Sequence, residues 1–104
     1  MGAFGYGVYD NDIAMDLRDN LANYLYNSYL NTEHPYPENI RVIANLIFGD
    51  VEFGDVSIRD KGEMTLTQVV LKKLKTINMD WYEGWKDPLK IKRYIKYMID
   101  MLEN

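Results

Sequence analysis

Apolar residues return at helical spacing in four separate stretches of this chain, each bounded by residues that start or stop helices. A period of about 3.6 residues puts such residues on one side of a helix, and that side needs another element to cover it. Four stripes in 104 residues fill one layered helical core and leave little chain for a second. The first stripe is Ile13, Leu17, Leu21, Leu25 and Tyr29, widened by Met15, Ala22 and Tyr24. Asp10, Asn11 and Asp12 offer N-caps, and Asp12 and Asp16 sit near the positive end of the helix dipole. The spacing predicts a helix over 12–30, closed by the loop His34-Pro35-Tyr36-Pro37.

Ile40, Ile43, Ala44 and Ile47 predict a second helix over 38–48, opened by Pro37 and stopped by Gly49. Val42, Leu46 and Phe48 make it apolar on most sides, as a central helix would be. Thr65-Leu66-Thr67-Gln68 reads as a capping box that starts a third helix over 66–77, with Leu66, Val70, Leu74 and Ile77 in line. Asp87-Pro88 opens the fourth, over 88–102, which carries Ile91, Ile95, Met98 and Leu102. The expected fold is mostly α: a small four-helix, bundle-like domain over residues 1–104.

Two segments lie outside these helices. Val51, Phe53, Val56 and Ile58 nearly alternate around Gly54-Asp55, which fits either a short β-hairpin over 51–59 or an irregular loop pinned by its apolar side chains. At the N-terminus, Gly2, Gly5 and Gly7 alternate with Phe4, Tyr6 and Tyr9, too many glycines for a helix. That pattern predicts a segment docked on the core. Gly2, Phe4, Gly5, Gly7 and Tyr9 are then structural residues, together with Trp81 and Trp85 near the last helix.

The sequence argues against most chemistry. It has no cysteine, which removes disulfide scaffolds, thiol catalysis and cysteine-ligated zinc. Gly2-Ala3-Phe4-Gly5-Tyr6-Gly7 lacks the spacing of either phosphate-binding glycine loop. Asp10-Asn11-Asp12 starts like a calcium loop, but Met15 and Leu21 stand where that loop needs glycine and glutamate. Asp12, Asp16 and Asp19 lie near one helix face and could hold magnesium with outside ligands, although a solvated face is the simpler reading. His34 is the only histidine, and no spacing links it to Ser28 or Ser57. No catalytic residue, metal ligand or cofactor is expected. No stretch approaches the roughly 20 apolar residues of a membrane span, no signal peptide is evident, and Tyr6 spoils the myristoylation pattern of Met1-Gly2. A cytoplasmic protein is expected.

Charge and aromatic content carry more information. Residues 1–60 hold 10 Asp and Glu against 3 Lys and Arg, whereas residues 61–104 hold 6 against 9. An acidic first half opposes direct nucleic-acid binding and suits a basic protein partner. Nine tyrosines and two tryptophans exceed what a core this small needs, and such residues enrich contact surfaces. Tyr24, Tyr29, Tyr94 and Tyr97 are placed to pad the core, while Tyr26, Tyr36, Tyr82 and Tyr97 fall off the main stripes and are expected at the surface. The residues expected to bind a partner are Asp10, Asp12, Asp16, Asp19, Tyr26, Tyr36, Glu52 and Asp55. The leading expectation is a protein-binding inhibitor or immunity-type protein acting on a basic toxin or nuclease. Two alternatives are a carboxylate-based metal-binding domain or small metal-dependent enzyme, and a homo-oligomeric structural protein.

The run Gly2-Ala3-Phe4-Gly5-Tyr6-Gly7-Val8-Tyr9-Asp10-Asn11-Asp12 resembles the opening of a family of small bacterial proteins, the domain of unknown function 4259. In that family the motif begins Gly-Ala-Trp-Gly, so Phe4 stands here in place of tryptophan. The tail from Trp81 through Asp87 to Leu102 is similar as well. The resemblance implies a bacterial or phage origin and a helical fold, and it brings no activity with it. Size and acidity are shared with small bacterial families that contain immunity proteins.

Overall fold

The computed structural model describes residues 12–103, without the side chains of residues 12–14. The expected docked segment, with Gly2, Phe4, Gly5, Gly7, Tyr9 and Asp10, lies outside the described residues. Within them the fold is mostly α, with five helices: α1 (Asp12–Leu25), α2 (Pro37–Gly49), α3 (Val51–Gly54), α4 (Leu66–Lys75) and α5 (Pro88–Glu103).

The core forms where α2 meets α4. Ile40, Ile43, Ala44 and Ile47 of α2 are buried, and so are Leu66, Val69, Val70 and Leu74 of α4. α5 packs on α4 through Ile95 and Met98, with Ile91, Ile99 and Leu102 half-buried beside them. The start signals work as their chemistry requires. Thr65 Oγ1 accepts from the Gln68 amide at 3.2 Å, and Gln68 Oε1 accepts from the Thr65 amide at 2.9 Å, which completes the capping box. Asp87 Oδ1 accepts from the Lys90 amide at 3.0 Å and caps α5.

α1 departs from the expected packing. Its buried residues, with those of the turn that continues it, are Ala22, Asn23, Tyr26 and Leu30, while Leu17, Leu21, Tyr24 and Tyr29 are exposed. At about 100° per residue, Leu17, Leu21 and Tyr24 share one side of the helix and Tyr26 lies opposite. The reason is the polar residue in the buried face. Asn23 Oδ1 accepts from the Arg59 amide at 2.9 Å, and its Nδ2 donates to the Asp19 carbonyl at 2.9 Å and the Ser57 carbonyl at 3.4 Å. A buried asparagine with all these bonds made fixes the rotation of the helix, because breaking them leaves backbone groups unpaired. After Leu25 the helix widens into a π turn over Tyr26–Leu30, closed by the Asn31 amide on the Tyr26 carbonyl at 2.8 Å. Tyr26, expected at the surface, is 1% exposed. It fills the space under the turn and donates its hydroxyl to Asn31 Oδ1 at 3.1 Å.

The segment after α2 settles the other open expectation. No hairpin forms over 51–59. Val51–Gly54 is a helical turn whose N-cap, Asp50, accepts from the Phe53 amide at 3.4 Å. The isolated bridge Ser57–Thr65 is the only β pairing among the described residues. Phe53, Val56 and Ile58 enter the core while Val51 is exposed, although in a strand Val51 and Phe53 would share one face. Gly54 explains the close approach. A Cβ there would lie 2.7 Å from Ile47 Cγ2 and nearer still to Thr67 Oγ1.

Candidate binding surface

An open cleft of about 790 Å³ lies between the loop that precedes α2 and the segment that follows α4. Pro35, Pro37, Ile40 and Ile77 make an apolar floor, while Tyr36 and Trp81 stand at the rim. Their rings are 5.5 Å apart between centroids and inclined at 48°. Tyr36 is 63% exposed and Trp81 44%, so the pair presents aromatic surface to solvent. Glu33, His34 and Asp80 supply polar edges.

The chain builds this pair from its turn signals. Tyr36 is the residue before Pro37, held in extended backbone at the N-cap of α2. Trp81 lies on the 3₁₀ turn Met79–Tyr82, which Asn78 starts by accepting the Asp80 amide at 3.0 Å. Neighbouring residues on this turn point apart, and Tyr82 is driven fully into the interior. Its hydroxyl donates to Glu38 Oε1 at 2.7 Å, and Arg41 donates to the same oxygen at 2.9 Å. Trp85 packs edge-on against the Tyr82 ring at 4.9 Å. Burial, then the hydrogen bond to Glu38, pushes the Tyr82 phenol up to about 12. Burial opposes the charge of Arg41, but the hydrogen bonds to Tyr82 and Glu38 outweigh it and raise the guanidinium. This bonded cluster ties the turn that carries Trp81 to α2.

Lys73 ties the loop to α4 by donating to the Thr32 carbonyl at 2.9 Å. Burial, and then the charges of Lys61 and Lys72, lowers its ammonium. His34 is almost fully exposed, 3.9 Å from Glu33. Among the described residues, no buried partner orients it as a general base requires. The cleft offers aromatic, apolar and charged contact surface.

The other residues expected to bind a partner are scattered. Asp16, Glu52 and Asp55 are exposed and Asp19 is half-buried. Arg18 joins two of them, 3.8 Å from Asp19 and 3.5 Å from Glu52, and offsets part of their charge. Asp10 and the side chain of Asp12 lie outside the described residues. Among those described, no three His, Asp or Glu side chains gather where they could hold a metal ion. Tyr26 is buried and leaves the binding set, and Tyr82, also expected at the surface, is buried too. Tyr36 stays in the set, and Trp81 and Trp85, read from sequence as structural, are each more than 40% exposed. Sequence reasoning missed Asn23, the lone polar residue of the buried α1 face; its signal was the mismatch between the Leu17–Leu21 stripe and an Ala22-Asn23 pair. No helix among the described residues is long and apolar enough to cross a membrane. No known family, curated protein or solved structure matches the chain.

Proposed function

We propose that this protein is an inhibitor or immunity-type interaction protein that binds a basic protein partner at the Tyr36–Trp81 cleft. The observation that carries this reading is the exposed aromatic pair over an apolar floor. Rigid aromatic side chains on a supported rim are the residues that most often dominate binding energy, because they bury much area at little entropic cost. Glu33 and Asp80 outnumber Lys73 in the cleft, and with the acidic first half of the chain they supply the complementary field for a cationic surface. A toxin or nuclease that grips phosphates is basic for that reason, and carboxylates offered by an inhibitor compete for the same cations. The resemblance of the N-terminal motif adds a bacterial or phage origin to this proposal.

The test uses the partner recovered from the source cells. Its association rate is measured by stopped flow for wild type and for Glu33→Gln/Asp80→Asn/Glu52→Gln/Asp55→Asn. Between about 50 mM and 500 mM salt, association with wild type should slow at least tenfold as the Debye length shrinks. The neutralised variant should start slow and respond little. A partner whose association ignores both salt and these substitutions refutes the electrostatic part of the reading.

A further inference from the structure

The Tyr36–Trp81 cleft is assembled from two walls of the same make-up. The loop before α2 brings Glu33 and Tyr36, and the 3₁₀ turn after α4 brings Asp80 and Trp81. Each wall thus carries one ring and one carboxylate into the same concavity. The rings, inclined at 48°, do not cover each other's faces, and both remain exposed. Among the described residues no cation pairs with the Asp80 carboxylate, and Glu33 has only the exposed His34 within 4 Å. Lys73 is the one Lys or Arg among the described residues that lines the cleft, and its ammonium is held by the Thr32 carbonyl at 2.9 Å.

We propose that the cleft takes an arginine side chain of the partner, with its guanidinium laid on the Trp81 and Tyr36 rings and its N–H groups turned to Asp80 and Glu33. This inference rests on the reading of the cleft as the partner's site and names the residue the partner inserts. The chemistry selects this occupant over others. An aromatic face is negative and attracts a cation, and a carboxylate beside each ring adds to that field. A phosphate or carboxylate group would meet Glu33 and Asp80 as like charges. A proline or aliphatic side chain would fill the floor of Pro35, Ile40 and Ile77 but take the carboxylates out of water with nothing to pair them. A lysine brings its charge as a compact, strongly hydrated ammonium with no plane to stack. An arginine is planar, weakly hydrated and carries five donors, so one group meets a ring and a carboxylate together. Its aliphatic stem covers the apolar floor.

Proton NMR titration of the full chain with three blocked tripeptides tests it: glycine-arginine-glycine, glycine-lysine-glycine and the neutral glycine-citrulline-glycine. The two tryptophans give two indole N–H signals, and Trp81→Phe identifies the one to follow. At low salt the arginine peptide should shift the Trp81 signal saturably, with a dissociation constant of about 10 mM or tighter, a range open to a single side chain. The lysine peptide should bind at least about threefold more weakly, and the citrulline peptide should give no saturable shift. Asp80→Asn and Glu33→Gln should each weaken the arginine peptide about threefold, as loss of an exposed ion pair does. Four results overturn the inference: no saturable shift with the arginine peptide below about 50 mM, a citrulline peptide that binds as well, a lysine peptide that binds as tightly, or an arginine constant unmoved by both substitutions. The recovered partner separates this inference from the proposed function. If Tyr36→Ala/Trp81→Ala loses the partner but the arginine peptide does not bind wild type, the inference alone fails. If the peptide binds and the partner ignores those substitutions, the proposed function fails and the arginine site stands.

Discussion

Two connections in this molecule serve neighbouring helices and have opposite construction. Residues 55–65 link α3 to α4, and residues 31–36 link the π turn to α2. The first is sewn into the core. Val56 and Ile58 are buried, Asn23 bonds the backbone at Ser57 and Arg59, and the segment closes on itself at the Ser57–Thr65 bridge. The second lies over the surface, with Glu33, His34 and Tyr36 exposed and Lys73 holding its start from outside. A loop with its polar backbone satisfied by buried partners serves stability, whereas a loop that leaves large side chains in water on a firm support is free to serve binding. The difference explains why the chain keeps an asparagine in its core and two aromatic rings outside it.

The largest expected effect lies in the 55–65 connection, at Asn23. Asn23→Ala leaves the Arg59 amide and the Ser57 carbonyl without their side-chain partner, at about 1–3 kcal/mol for each group kept from water. Urea denaturation should show a loss of about 3 kcal/mol in all, and a loss under about 1 kcal/mol would mean that the 55–65 connection is not held this way. Gly54→Ala comes next. The added methyl meets Thr67 and Ile47, and overpacking of this kind costs about 1–3 kcal/mol. A neutral result by the same measurement would show that α3 approaches α2 and α4 too loosely for the missing Cβ to matter.

Tyr82 sits behind the second connection and gives a prediction about pH. Its phenol is pushed up from the ordinary 10.0 to about 12, so the folded state favours the neutral form. That contribution is whole below pH 10 and fades as pH climbs from about 10 through 12. Each tenfold change in an ionisation constant corresponds to about 1.4 kcal/mol, so the contribution amounts to roughly 2–3 kcal/mol. In an ultraviolet titration one tyrosine should ionise late, and Tyr82→Phe should abolish that late step. A Tyr82→Phe protein with an unchanged titration curve contradicts the bond from Tyr82 to Glu38. The smallest effects belong to the exposed loop. Glu33→Ala, His34→Ala and Tyr36→Ala should each shift stability by no more than about 0.5 kcal/mol. A larger loss would move that loop into the same class as residues 55–65.

Much of the architecture was legible because it follows from local rules. Thr65 with Gln68, Asp87 with Pro88, and Pro37 with Gly49 mark helix ends that appear within two residues of their expected places. The stripes on α2, α4 and α5 also face inward as their spacing demands. The orientation of α1 was not legible, because it depends on a contact 36 residues away, between Asn23 and the Arg59 amide. Periodicity alone reports that a side is apolar and leaves open what covers it. The fate of Val51–Ile58 was hidden for a similar reason: alternation suggested strands, but the missing Cβ of Gly54 and the Asp50 cap decide the matter through tertiary fit. At the surface, Tyr36 could be placed from its flanking prolines. Its pairing with Trp81, 45 positions later in the chain, could not.

In the function proposed for this protein, the Tyr36–Trp81 rim binds the partner while adding little to the fold. The direct measurement is the dissociation constant of the recovered basic partner for wild type and for Tyr36→Ala/Trp81→Ala, with the melting temperature of each protein taken alongside. The expected result is a constant weakened about 30-fold or more, equivalent to at least about 2 kcal/mol, with melting temperatures within about 5 °C of each other. Equal affinity for the two proteins, or a fall in melting temperature large enough to explain the lost binding, would contradict it.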